Sequence, residues 1–300
     1  MRADQTALGK ASRPTGVASP RGAVDLHVHT THSDGACSPC EVVRAASVVK
    51  LSALAITDHD TVSALAVARP EAAGLGIELI SGVELTCVLA SREVHLLGHF
   101  IREDNPPLLK AMRQLRLGRM ERMRTMAQTL HSQGLVLDLD VLETWFPRAA
   151  LGRRHAALYL ARTGQVSSER EAFRRFLGDG CPAIAPKPRL NLIEAIRLVR
   201  GAGGVPGLAH PPFNLRAATL EALAGAGLGA IEVNGPGISS RLGRRFRDWA
   251  TWLDLVPIAG SDFHAPDRPG RWVGAITTTP LDLERLRSRR GSTSRPFQPP

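Results

Sequence analysis

Nine side chains able to bind metal stand in short motifs spread along this 300-residue chain. His27, His29 and Asp34 occur in DLHVHTTHSDG, His59 in ITDHDT, Glu84 in SGVELT and His95 in EVHLLGH. His210 follows in LAHPP, and Asp262 and His264 close the set in AGSDFHAP. Imidazole and carboxylate suit borderline divalent ions such as zinc, manganese and iron. No cysteine is among them, which argues against a closed structural zinc site. Most of these residues end short apolar runs, where loops at the carboxyl ends of strands would gather them. The pattern points to a catalytic centre holding more than one metal ion.

The elements that must bring these motifs together can be read from apolar periodicity. Residues 23–28, 53–57, 78–83 and 94–100 read as strands. Between them, residues 39–50 read as a helix capped by Ser38, and residues 61–73 as a helix closed by Gly74. An H-x-H pair on the first strand projects both imidazoles to one side, because side chains alternate with period two. From Leu190 the alternation resumes, with a helix to Arg200, strands at 205–209, 230–233 and 256–259, and helices at 217–226 and 239–253. Repeated strand–helix units imply a mainly parallel α/β sheet, and their number favours a barrel over an open sheet.

Residues 106–134 differ. Leu108, Leu109, Met112, Leu115, Met120, Met123, Ala127 and Leu130 mark one helical face, while Lys110, Arg113, Arg116, Arg119, Arg122 and Arg124 mark the other. Shorter helices are expected at 138–144, 153–162 and 168–177. The expected organisation is therefore a basic disordered leader at 1–22, a barrel at 23–101 and 190–284, a helical cap at 102–189 and a basic disordered tail at 285–300. Individually, most of the arginines of the long helix read as a solvated face, and together they set the field at the mouth.

Net charge sharpens this division. The formal +10 of the chain resolves into +3 for residues 1–22, −5 for 23–101, +7 for 102–189, zero for 190–284 and +5 for 285–300. The ligand-bearing segments are neutral to acidic beneath a basic cover, which suits an anionic substrate approaching a metal site. Apolar runs stop well short of the roughly 20 residues of a membrane helix, and the first 22 residues lack the apolar core of a secretory signal. Four cysteines are too few for a disulfide framework, and Cys37 and Cys40, although spaced CxxC, fall in a loop leading to a helix. Free thiols in the cytoplasm are the expectation, with no membrane and no obligate protein partner.

The ordered set HVH, SDG, TDHD, GVE, AHP and SDFH resembles the polymerase-and-histidinol-phosphatase (PHP) superfamily of metal-dependent phosphoesterases, over residues 23–101 and 190–275. The resemblance implies a distorted (β/α)7 barrel with an inserted helical cap, and two or three divalent ions: manganese, zinc or iron, with magnesium also admitted. It implies that His27, His29, Glu84 and Asp262 hold one ion. Glu84 would bridge to a second held by His95 and His210, and Asp34, His59 and His264 would hold the third. Such ions lower the pKa of a bound water, the expected nucleophile, and neutralise phosphate oxygens.

Within the cap, LGRRHAALYLARTG resembles the GRPH-type element of one PHP subgroup, with Arg154 in place of the usual proline. The resemblance implies that Arg153 and His155 reach the substrate phosphate, His155 binding it or protonating the leaving oxygen, with Asp34 nearby. Subgroup members act on nucleoside 3′,5′-bisphosphates and on the 5′ ends of short RNA. The expected activity is hydrolysis of the 3′-phosphate of such nucleotides, with 5′-3′ exonuclease action on short RNA as an extension. IEVNGPGISSRL departs from the subgroup's histidine-containing loop. The alternatives are a histidinol-phosphatase-like enzyme or, from another class, a nucleic-acid-binding module on a non-catalytic scaffold. Among other polar residues, His99 is a weak candidate for supporting the ligands. Asp58 and Asp60 are expected to orient ligands or cap the next helix.

Overall fold

A computed structural model of the chain describes residues 22–178, 180–183, 189–266 and 271–291. Residues 1–21 of the expected leader and 292–300 of the expected tail lie outside the described residues, as does the 184–188 stretch of the return to the barrel. The strands are β1 (Val24–Val28), β2 (Ala53–Ile56), β3 (Glu78–Leu89), β4 (Arg92–His99), β5 (Leu190–Asn191), β6 (Val205–Ala209), β7 (Ala230–Asn234) and β8 (Val256–Ala259). They form one sheet in the order β1-β2-β3-β4-β6-β7-β8, with the short β5 pairing off this path onto β3. Pairing is parallel except on the two sides of β4, which runs antiparallel to both β3 and β6. That reversal is the distortion in an otherwise parallel barrel.

The sheet nearly closes through the segment after β8. Asp262 N–H donates to the His27 carbonyl at 2.8 Å and His29 N–H to the Phe263 carbonyl at 2.9 Å. Lower down, the Asp25 carboxylate accepts from the backbone of Ser261 at 2.9 Å and of Gly274 at 2.8 Å. Burial, only partly offset by these bonds, pushes Asp25 up to about 6. A Cβ at Gly260 would lie 2.6 Å from the His27 amide nitrogen, so the approach of the two edges requires glycine there. The barrel interior is filled by Val24, Leu26, Ala55, Ile80, Leu97 and their neighbours from the facing strands.

Helices α1 (Pro39–Val48) and α2 (Ser63–Gly74) cover the β1–β2 side, and α7 (Leu192–Gly201), α8 (Ala217–Gly225) and α9 (Ser240–Trp252) the other. Between β4 and β5 runs a helical block of α3 (Pro106–Ser132), α4 (Leu139–Trp145), α5 (Arg153–Arg162), α6 (Glu169–Ala172) and a π-helical turn at Phe173–Leu177. Met123, Met126, Leu130, Leu142, Leu160 and Leu177 form an apolar cluster of its own. Among the described residues no helix is long and apolar enough to cross a membrane.

Two expectations are corrected. Strand β3 runs to Leu89 rather than ending near residue 83, because β3 and β4 form a hairpin whose turn, Ala90-Ser91, adopts left-handed φ of 44° and 72° without glycine. The basic tail is not disordered from 285. Helix α10 (Pro280–Ser288) is capped by Thr279 and buries Leu283 and Leu286. Arg119 is an exception to the solvated basic face of α3, being 6% exposed and bound to Asp60.

Candidate metal centre

Strand register explains why the nine residues converge. His27 and His29 alternate onto one side of β1 and its extension. On the β3–β4 ladder His95 pairs with Thr86, two residues beyond Glu84, so His95 and Glu84 share a face as diagonal neighbours. His95 also pairs with Ala209 at the end of β6, which places His210 one step beyond. His59, His210, Asp262 and His264 lie in the loops after β2, β6 and β8, and Asp34 lies in the loop after β1. His210 and Asp262 hold positive φ of 25° and 47°, a costly conformation for non-glycine residues that aims their side chains inward.

Glu84 is the hub and is 1% exposed. Its Oε1 lies 2.9 Å from His95 Nδ1 and 3.0 Å from His210 Nε2. Its Oε2 lies 3.1 Å from His29 Nε2, 3.1 Å from His59 Nδ1 and 3.4 Å from His27 Nε2. Asp262 Oδ1 stands 3.3 to 3.4 Å from His29 Nε2, His27 Nε2 and His264 Nδ1. Asp34 Oδ1 is 3.3 Å from His264 Nε2. Three sets of ligand atoms each fall within 4.8 Å of one another: His27, His29 and Asp262; His59, Glu84 and His95; and His29, Asp34, His59 and His264. Glu84 therefore lies between groups, as a bridging carboxylate would.

The donor set fits cations better than it fits itself. His27 Nε2 faces His29 Nε2 at 3.1 Å, and His95 Nδ1 faces His210 Nε2 at 3.3 Å. Nitrogen lone pairs aimed at one another are satisfied by a shared positive ion. Asp34 Oδ1 and His59 Nδ1 are buried without a well-aligned hydrogen bond. Protons partly fill the role of the cations. Burial alone would lower His29, yet Asp262 and Glu84 raise it to about 10, and His27 is likewise held well above its usual range by Glu84, Glu232 and Asp262. Burial alone would raise Glu84, but His59, His95 and His27 hold it well below the carboxylate range.

Supporting residues surround the ligands. Glu232 of β7 was not anticipated. Its Oε1 accepts from His27 Nδ1 at 2.9 Å and its Oε2 from the His210 amide at 2.5 Å, fixing two ligands at once. Asp58 accepts from the Thr30 amide and hydroxyl and from Ser33 Oγ, and so holds the loop after β1. His99 lies deeper in the barrel, donating from Nε2 to the Leu26 carbonyl at 2.9 Å, and burial pushes it down to about 4.

The cap residues are set differently from the expectation. His155 is 3% exposed, its Nδ1 accepts from the Gly152 amide at 3.1 Å, and its ring bonds the Ser33 backbone. Burial pushes it down to about 4, which favours the neutral ring in this arrangement. Arg153 donates to the Leu177 carbonyl at 3.2 Å. Arg154 touches the same loop as His155, its Nη1 donating to the Asp34 carbonyl at 2.8 Å.

Residues 25–146 match the PHP domain. Over 263 residues the chain is 34% identical to the 3′,5′-nucleoside bisphosphate phosphatase of Chromobacterium violaceum, covering 86% of this chain and 92% of that protein. The chain belongs to the PHP family. A 5′-3′ exoribonuclease of Haemophilus influenzae is 32% identical to this PHP chain, over 81% of it and 90% of the relative. Among solved structures, a protein described as a metal-dependent phosphoesterase from Bifidobacterium adolescentis superposes with a TM-score of 0.83 at 29% identity, covering 89% of this chain and 96% of that one. The PHP chain is thus a hydrolase of the metal-dependent phosphoesterase class, with His, Asp and Glu clusters that could hold its metal.

Proposed function

We propose that this phosphoesterase removes the 3′-phosphate from nucleoside 3′,5′-bisphosphates and also shortens RNA from its 5′ end, in the cytoplasm. The observation that carries the chemistry is the convergence of nine ligand-competent side chains around buried Glu84. The substrate class rests on the similarity to the bisphosphate phosphatase and the exoribonuclease. In this reading His27, His29, Glu84 and Asp262 would hold one of two or three manganese, zinc or iron ions. Glu84 would also serve a second with His95 and His210, and Asp34, His59 and His264 would hold the remaining one. Bound divalent ions supply charge neutralisation at the phosphate oxygens and an acidified water for in-line attack.

The chain's own residues do the rest. Glu232 fixes the tautomer of His27 and the position of His210. The basic helices at 102–189 draw in a substrate with more than one phosphate. Arg153, near the cap–barrel junction, is the residue assigned to the second phosphate, where a guanidinium fork matches phosphate geometry. Four free thiols agree with a reducing compartment. A phosphate-release screen with manganese tests the proposal, comparing adenosine 3′,5′-bisphosphate, adenosine 5′-monophosphate, 5′-phosphorylated short RNA and histidinol phosphate. Preference for the bisphosphate supports it, and equal or greater release from histidinol phosphate overturns the substrate assignment.

A further inference from the structure

The nine ligands are not held alike. His27 and Glu84 lie within the barrel's hydrogen-bonded ladders, as does His95, and His29 is bonded to the closing segment. Asp34 instead lies on a loop and His59 just past β2, where a single bridge ties it to Glu84, and both segments are gripped by the helical insertion. On the loop after β1, three successive residues are engaged. The His32 carbonyl accepts from Ala150 N–H at 3.1 Å, His155 bonds the Ser33 backbone, and the Asp34 carbonyl accepts from Arg154 Nη1 at 2.8 Å. On the loop after β2, the Asp60 carbonyl accepts from Arg116 Nη1 at 2.9 Å. The Asp60 carboxylate accepts from Arg119 Nε at 2.7 Å, and Arg119 Nη2 reaches Thr86 Oγ1 on β3 at 2.9 Å.

Asp60 adjoins His59 and holds a left-handed φ of 54°, a conformation that persists only where surrounding bonds enforce it. Arg119 and Arg116, both on α3, supply two of those bonds, and Thr86 N–H, donating to Asp60 Oδ1 at 2.8 Å, a third. Asp34 Oδ1 and His59 Nδ1, the two ligand atoms so delivered, are also the buried ones that lack a well-aligned hydrogen bond. They share one group with His264 and His29.

We propose that the helical insertion assembles this ligand group, with Arg119 and Arg154 as positioning residues for the cation at Asp34, His59 and His264. The inference rests on the metal-centre reading above and adds to it a division of labour. The barrel builds the sites around Glu84, and docking of the insertion completes the outer one. The basic residue in place of the usual proline is then a bracket for the ligand loop, in contact with the Asp34 backbone and not with substrate. Release of the insertion would weaken this group most, and the group of Glu84 and His95 only through His59, which the two share.

Manganese titration of the full-length protein, with metal per chain counted by elemental analysis, tests this on Arg154→Ala and Arg119→Lys. Arg154 is partly exposed, so its removal spares the core, and lysine at 119 keeps the charge but cannot reach both Asp60 and Thr86. The weakest manganese should bind about tenfold or more less tightly in each variant, as for other residues that support ligands, with the tighter ions unchanged. Arg154→Lys, which keeps one donor for the Asp34 carbonyl, should restore part of the loss. Wild-type affinity for every ion in both variants overturns the inference and leaves the metal reading intact. A parallel loss of all ions overturns it too, and a wild-type protein that binds no divalent cation removes the metal reading itself.

Discussion

Replacing Glu232 by glutamine would keep the size of a side chain that is 2% exposed while removing half of what it does. In the native protein both carboxylate oxygens accept, one from His27 Nδ1 at 2.9 Å and the other from the His210 amide at 2.5 Å. Glutamine has one acceptor oxygen, so its amide N–H₂ must face either the His27 ring or the His210 backbone. Donor then meets donor at a buried position. A hydrogen bond to a charged group contributes on the order of 1.5–3 kcal/mol. Loss of a carboxylate behind a ligating histidine typically costs about 10–100-fold in metal affinity or activity, or roughly 1.4–2.7 kcal/mol, so the two scales agree. The assay is manganese titration followed by kcat on adenosine 3′,5′-bisphosphate at saturating metal. Glu232→Gln should lose about 10-fold or more in affinity for the ions at His27 and His210. Unchanged affinity and unchanged kcat, with only a lower melting temperature, would refute the positioning role and leave Glu232 a structural residue.

Further outcomes follow from the same geometry. His155 and His99 are each depressed to about 4, below an unfolded value near 6.5, so the folded state favours their neutral forms. Their contribution is complete above pH 6.5 and is lost as pH falls toward 4, at about 3 kcal/mol each, while Asp25, raised to about 6, opposes one of them below pH 6; chemical denaturation between pH 7.5 and 4.5 should show a shallower slope in His155→Gln than in the wild type, and identical slopes would contradict it. Metal uptake must displace protons held by His27 and His29, so apparent manganese affinity should rise about tenfold per pH unit between pH 6 and 8 for each proton released; isothermal titration in buffers of different ionisation enthalpy would count those protons, and zero release would refute the assignment. Gly260→Ala forces a Cβ against the His27 backbone and should cost about 1–3 kcal/mol of stability, with activity falling as His27 shifts, which thermal melts and phosphate release together would check.

Much of the barrel and the nine converging residues are legible in the sequence, because most of them end apolar runs and the ends of parallel strands share one side of a barrel. Glu232 is not, since in IEVN it reads as an ordinary strand residue and acquires its role only through the neighbours of β7 in the sheet. Arg119 is likewise one member of a regular basic face, and nothing local separates it from Arg122 or Arg124; only the tertiary approach of Asp60 buries it. His155 shows the converse limit. Its motif was visible, but a motif gives the residue and not the burial that makes it neutral and anchored. Helix α10 carried its own signal, Thr279 before Pro280 with Asp282 three residues on, which the basic charge of the terminal segment obscured.

The central claim is that Glu84 joins the sites of a metal-dependent phosphoesterase. Its most direct test is phosphate release from adenosine 3′,5′-bisphosphate by manganese-loaded wild-type protein and by Glu84→Gln, with manganese per chain counted in both. The account predicts metal-dependent release by the wild type, abolished by chelation, and loss of both bound manganese and activity in the variant. Full activity and full manganese content in Glu84→Gln would contradict it, as would a metal-loaded wild type that releases no phosphate.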